Sequence, residues 1–506
     1  MTEVRTRKIV KYVESELPHV VDAVIAALVE AGAPFYARGT GLFRPVTSHR
    51  NLGAASAFSG LGATILVSVD KTTVVETATR LVNFKRHDDR LREGSKWKEV
   101  RCPDLVAEAI IARRGEWSFP ELRAVVSAPT LRPDGTILEQ KGYDAATGIL
   151  FVSDLDWPSI SSDPTQEEAR AALHLLAELV QDFPFVGPAD RSAALAMLLT
   201  SVVRPCLASA PMFGVSAPTP GTGKSKLVDI ASIMATGSTA SVLSAPREED
   251  ELKKQIGAAL MAGDPFITLD NIEFPLRSAF LCQVLTQEQV SVRVLGESRN
   301  AKLPTLATFC ATGNSLRFAG DLTRRAVQIN LDAGVERPED RIFGRDVTLL
   351  AKEQRITFVC AALTVLRAFR VCGGPKVKPL GSFEEWSDNI RSALIWLGEA
   401  DLLDNGEKLR DSDPERERIA SILAALPVGE WTTRSLAPEA QGNGPLAEAL
   451  DEFIERGSFN SLKFGNYLRK HSGRIIDGRR VVQAGRNRLN CVLWCVKDQN
   501  TPDKAW

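Results

Sequence analysis

Residues 217–225 read Ala-Pro-Thr-Pro-Gly-Thr-Gly-Lys-Ser, and the order of those types dictates a chemistry. Glycines let the backbone turn so that successive N–H groups face one way, lysine adds a mobile ammonium, and serine adds a hydroxyl. Set between a buried strand and a helix, such a loop presents a triphosphate to the positive end of that helix. Pro220, Gly221, Thr222 and Gly223 then form the backbone cradle, Lys224 meets the β and γ phosphates, and Ser225 binds Mg²⁺. Both flanks fit, because residues 212–217 (MFGVSA) are an apolar strand pattern and residues 226–235 (KLVDIASIMA) a helical one. The strict template has glycine at position 218, where this chain carries Pro218. The expected ligands are ATP and Mg²⁺.

Two further strand-like runs end in polar residues. The first, residues 266–273 (FITLDNIE), places Asp270 at a strand's carboxyl end, where it can accept from Mg²⁺-bound water. Asn271 follows it and cannot act as a base, so either Glu273 turns inward to take the proton or Asn271 only orients the attacking water. The second, residues 306–314 (LATFCATGN), ends in Asn314, whose amide can hold that water. Lysine, aspartate and asparagine at three strand ends lie on the carboxyl edge of one sheet, where open α/β sheets bind ligands. Beyond them, Asp321-Leu-Thr-Arg324-Arg325 carries two arginines just before another apolar run, residues 326–332 (AVQINLD). Residues 290–304 look like two strands joined at a polar tip, with Arg299 and Lys302 placed to grip phosphates, or else a plain solvated loop.

The elements that must position these residues follow the alternating pattern of a parallel α/β sheet, which we place at residues 203–335. Before it, helical periodicity from Thr165 predicts a collar over 166–202, and short β-prone pieces broken by turn signals predict a small adaptor over 116–165. Residues 1–115 read as an α+β region that starts with a charged helix and continues into a second one, residues 20–33, with an apolar stripe of Val20, Val21, Val24, Ile25, Leu28 and Val29. After the sheet, residues 336–410 read as a helical lid. Residues 411–506 give a helix, a short strand (EWTTRSL), two more helices and a β-hairpin from Arg479 to Lys497, the element order of a winged helix.

The charge of that last module is concentrated. Between residues 463 and 497, Lys463, Arg469, Lys470, Arg474, Arg479, Arg480, Arg486, Arg488 and Lys497 face a single acidic residue, Asp477, in a chain whose formal net charge is −1. Such a patch is the electrostatic footprint of duplex DNA, with residues 460–471 as the recognition helix and residues 486–488 at the wing tip; docking to a protein is the alternative use. The overall charge excludes a histone-like polycation. The apolar stretch 192–215 is interrupted by Arg204 and Pro205, so no membrane span is expected, and the mixed-charge N-terminus predicts a cytoplasmic protein. Eight cysteines without a CxxC pair and five scattered histidines give no zinc or disulfide framework.

Taken together, these blocks resemble the helicase portion of phage, plasmid and poxvirus-type primase–helicases, AAA+ proteins close to superfamily 3. The resemblance runs through residues 127–151 (SAPTLRPDGTILEQKGYDAATGILF), APTPGTGKS, FITLDNIE, VRVLGES, ATGNSLRFAGDLTRR, SFEEWSDNIRSALIWLGEADLLD and GNYLRKHSGRIIDGRR. It implies that Pro218 is a family variant, that Lys224 and Ser225 belong to the phosphate loop, that Asp270 binds metal and that Asn314 is the sensor. It also implies that Arg324 or Arg325 acts as an arginine finger in a neighbouring subunit, and that the hairpin 290–304 enters a central channel. No primase motif of paired acidic residues with histidine precedes the motor, so no primer synthesis is expected. The implied protein is an ATP-dependent DNA helicase or replication initiator of a phage or mobile element. It would work as a homo-oligomeric ring, a hexamer, on single-stranded DNA in the channel and duplex at the winged helix, with a primase or other replication proteins as partners. The alternatives are an origin-melting or helicase-loading remodeller, and a DNA-binding adaptor with a degenerate ATPase.

Overall fold

In the computed structural model, residues 7–47, 64–88, 96–294, 300–341, 344–405 and 413–498 are described. They form a mixed α/β protein that divides into two compact units. The first comprises residues 1–274, 278–316 and 325–405; the second gathers residues 275–277 and 317–324 with residues 406–506.

The first unit is organised by a five-stranded parallel sheet, β1 (Met212–Ala217), β2 (Ser241–Ser244), β3 (Phe266–Asp270), β4 (Thr308–Asn314) and β5 (Ala326–Asn330). The order across the sheet is β2-β3-β4-β1-β5. Strands β1, β3 and β4 are apolar and buried almost to their last residue, as strands covered on both faces must be. Strand β2 was not foreseen: it is an edge strand of four residues whose Val242 is exposed, so it lacks the apolar run that marks the others. The helix Pro188–Val203 is buried from Ala189 to Val203 except Arg191 and supports the sheet.

Arg204, which interrupts the apolar stretch in the sequence, is fully buried there. Its guanidinium donates to the carbonyls of Ala307 (3.0 Å), Leu207 (2.6 Å) and Thr305 (2.5 Å), so it closes the backbone at the entrance to β4. Burial pushes its pKa down to about 10. The helical segment after the sheet is fixed in the same way by specific anchors. Trp386 is buried against Phe213 of β1 and donates from Nε1 to Thr200 Oγ1 at 2.9 Å, and Arg191 pairs with Glu399 at 2.8 Å.

At the start of the chain the expected charged helix is instead a strand, Lys8–Tyr12, paired in parallel with Val82–His87, which in turn pairs with Trp97–Val100. Ile9, Val10 and Tyr12 favour an extended chain, and the pairing partner lies some 70 residues away where local periodicity cannot reveal it. The second expected helix is present as Leu17–Glu30, with Val20, Val21, Val24, Ile25 and Leu28 in one core with Val74, Val82, Phe84 and Val106.

In the second unit, helix Pro414–Ala425, helix Ser461–His471 and the antiparallel hairpin Arg479–Arg486/Val492–Asp498 enclose a core of Ile419, Ile422, Leu450, Phe453, Phe464, Leu468 and Trp494. The strand expected over EWTTRSL is reduced to one bridge, Trp431 to Trp494. Its remainder coils into the helical turn Thr433–Leu436, because Thr432 and Ser435 form a reciprocal capping box that satisfies the first free N–H groups.

Candidate functional site

The loop between β1 and helix Lys224–Thr236 has the geometry that phosphate binding needs. Gly221 and Gly223 have φ of 76° and 101°, a region that L side chains rarely adopt. A Cβ on Gly223 would stand 3.3 Å from the ring of Phe183, and one on Gly221 2.9 Å from the Glu339 carboxylate. Thr222 is buried and donates to the Thr219 carbonyl at 2.8 Å, fixing the turn, while Ser225 is exposed in the first turn of the helix. Pro218 is exposed at the start of the loop, and neither it nor Pro220 has a positive φ.

Strand order places β4 between β3 and β1, so the carboxyl ends of all three parallel strands meet on one edge. Lys224 Nζ donates to Asn314 Oδ1 at 2.8 Å and to the Thr219 carbonyl at 3.1 Å. Burial pulls the lysine's pKa below its ordinary value, and the Asp270 carboxylate acts in the opposite sense. Asp270 is half-buried and accepts from Thr312 Oγ1, which also accepts from the backbone N–H of Asn271 at 3.1 Å. Asn271 has φ of 52° and is exposed, with Nδ2 3.4 Å from Glu273 Oε1, so the two residues considered for the attacking water stand together. Gly313 is required by close approach, since a Cβ there would be 2.4 Å from the Ile272 carbonyl oxygen.

Thr312 is the residue that sequence reading missed. It is a single hydroxyl inside an apolar strand, and only the register of β3 against β4 reveals that it orients Asp270. Replacing it with valine keeps the shape but removes both the bond donated to the Asp270 carboxylate and the one accepted from the Asn271 N–H. If the site hydrolyses a nucleotide, turnover is expected to fall roughly tenfold to a hundredfold, matching about 1.5–3 kcal/mol for a hydrogen bond to a charged group, with little change in KM. Steady-state kinetics of Thr312→Val checks this, and an unchanged kcat would remove Thr312 from the site.

The two arginines are separated by their surroundings. Arg324 is exposed and its Nε pairs with Asp321, whereas Arg325 is half-buried and donates from Nη1 to the Cys282 carbonyl at 3.2 Å. Residues 289–293 and 300–304 form an antiparallel hairpin with Lys302 exposed on it; its tip, including Arg299, lies outside the described residues.

In the second unit, Arg469, Arg474, Arg486 and Arg488 are exposed. Lys463 and Lys470 correct the charge reading: Lys463 pairs with Glu455 at 2.9 Å and Lys470 with Glu415 at 3.4 Å. Both acidic partners lie upstream of residues 463–497, so the local excess is smaller than that stretch suggests. Glu415 also receives Arg277 (3.3 Å) and His471 (3.6 Å); burial holds the His471 pKa down while Glu415 raises it.

The eight cysteines are free thiols. Among the described residues, no cluster of three or more His, Cys, Asp or Glu side chains could hold a metal, and no helix is long and apolar enough to cross a membrane.

No protein-family model matches the chain, and no curated protein matches it. Solved structures do. The A form apo structure of the NrS-1 C-terminal region covers 93% of this chain and 98% of its own at 11% identity and a TM-score of 0.35. A second apo structure of that region covers 94% and 98% at 11% identity and a TM-score of 0.38. The JCV helicase with a bound thiazolopyridine-phenoxyphenyl acetamide covers 51% of this chain and 71% of its own at 12% identity and a TM-score of 0.21. At these scores the likeness carries no weight, and the chemistry of the site rests on its own geometry.

Proposed function

We propose that the chain is an ATP-dependent motor that works on DNA, a helicase or replication initiator of a phage or mobile element. In this reading the sheet and its flanking helices are an AAA+ core, residues 336–410 its lid and residues 411–506 a winged helix, and subunits close into a hexameric ring. The observation that carries it is the meeting of Lys224, Asp270 and Asn314 at one edge of one parallel sheet, beside a glycine loop that opens a 13-residue helix.

The roles follow from position. Loop N–H groups and Lys224 hold the β and γ phosphates. Asn314, already in contact with Lys224, orients the attacking water, and Glu273 beside Asn271 takes its proton. Ser225 and Asp270 would hold Mg²⁺; one hydroxyl and one carboxylate suit an ion that takes its other ligands from phosphates and water. Bound there, it would neutralise charge on the transferring phosphoryl group. Among the basic residues of the terminal module, exposed Arg469, Arg474, Arg486 and Arg488 are the duplex contacts, and Lys302 contacts the strand in the channel.

The test is ATP hydrolysis with and without single-stranded DNA, followed by strand displacement on a forked duplex. Stimulated hydrolysis with displacement is the expected result. Stimulation without displacement would point to a melting or loading remodeller instead, and no hydrolysis under either condition would overturn the motor and leave a DNA-binding adaptor.

A further inference from the structure

The sheet near the N-terminus has two unlike faces. Val10, Tyr12, Val82 and Phe84 point into the core under helices Leu17–Glu30 and Lys71–Leu81. By the alternation of strands, Ile9, Lys11, Asn83, Lys85, His87, Trp97 and Glu99 take the opposite face, where the register sets Ile9 beside Asn83, Lys85 between Lys11 and Glu99, and His87 beside Trp97. Distances across the strands agree with the grouping: the Lys11 ammonium lies 4.9 Å from the centre of the Trp97 ring, and His87 meets that ring edge-on at 5.4 Å. Lys11 and His87 are exposed, as is Ile9 at 54%, and Trp97 and Lys85 are half-exposed.

Charge follows the same strands. Residues 7–12, 82–88 and 96–101 hold eight basic side chains, Arg7, Lys8, Lys11, Lys85, Arg86, Lys96, Lys98 and Arg101, against Asp88 and Glu99. The excess is shared between the two faces: by alternation Lys11 and Lys85 stand on the outer one with Glu99, and Lys8, Arg86 and Lys98 on the inner one. Ion pairs reduce it only in part: Lys8 meets Glu30 at 2.9 Å, Arg7 meets Glu99 at 3.8 Å and Arg101 meets Asp104 at 3.0 Å.

We infer that this face binds single-stranded DNA, with Trp97 and His87 stacking on bases and Lys11 and Lys85 meeting the phosphates on either side. An aromatic ring beside an ammonium group on an exposed sheet face serves both halves of a nucleotide, and a duplex would hide the base faces that the rings require. The site shares no residue with Lys302 or with the terminal module, and it does not depend on ATP.

The experiment measures anisotropy of a short fluorescein-labelled oligothymidylate titrated with the full chain without nucleotide. Trp97→Ala is expected to weaken binding by roughly fivefold or more, as removal of one stacked base does, and Trp97→Phe to retain most of it. The double variant Lys11→Gln/Lys85→Gln removes both charges without adding a carboxylate beside Glu99, so it should fold normally, weaken binding further and lower the salt slope by about 0.7 for each phosphate left without its lysine. Photo-cross-linking should recover the peptide that contains Trp97. Unchanged affinity in the Trp97→Ala and double-glutamine variants would overturn the site, as would a stronger loss of oligouridylate than of oligothymidylate binding, which would make the ligand RNA. Because ATP is absent throughout, a failed ATPase assay leaves this result standing, and the reverse holds too.

Discussion

Lys224→Ala is expected to abolish ATP hydrolysis while the protein stays folded. The side chain packs little: its ammonium spends its hydrogen bonds on Asn314 Oδ1 and the Thr219 carbonyl, both of which can turn to water when it is gone. The substitution removes a half-buried positive charge aimed at the phosphates, in surroundings dry enough to depress its pKa, where a charge acts more strongly than in water. Turnover should fall by roughly 10²-fold or more, as for other fixed groups that stabilise transition-state charge. Lys224→Arg should not restore it, since a planar guanidinium cannot take the place of a compact ammonium between Asn314 and the loop. Circular dichroism and thermal melting establish folding, and a coupled assay reads turnover. Near-parental hydrolysis by a folded Lys224→Ala protein would end the motor reading.

The parts of this site that were legible in the sequence are those coded by contiguous residues. Strands β1, β3 and β4 are each a short apolar run, the last two closed by a polar residue, and burial on both faces leaves no other way to write them. The glycine loop is legible for a related reason: its backbone conformation restricts the residue type. What escaped was set by partners distant in sequence. The strand Lys8–Tyr12 depends on Val82–His87, Thr312 acquires its role only from the register of β3 on β4, and Arg204 is a clamp only because three carbonyls converge on it. The basic terminal stretch misled in the opposite direction, because Glu415 and Glu455 lie outside that stretch yet pair with Lys470 and Lys463. Charge summed along a chain omits the partners that folding brings in.

The structure also separates two arginines that the sequence left equivalent, and this sharpens the prediction about the ring. Arg325 is committed within its own chain to the middle of helix Ala279–Thr286, through the Cys282 carbonyl. Arg324 projects outward with 62% of its side chain exposed and pairs with Asp321, also at the surface. A surface ion pair of this kind is worth at most about 1 kcal/mol and can be exchanged for a phosphate on a neighbour. Arg324→Ala is therefore expected to keep nucleotide binding and lose hydrolysis by about 10³-fold or more, the range for an arginine finger, whereas Arg325→Ala should act mainly on stability. The in-trans mechanism makes a further demand. Mixing Arg324→Ala with Lys224→Ala pairs an intact loop on one subunit with an intact finger on the next, so some activity should return although neither protein has any alone. Recovery that rises and then falls with the mixing ratio is the expected result. Full activity of Arg324→Ala by itself would reject the finger, and no recovery from subunits shown to co-assemble would reject its action across the interface.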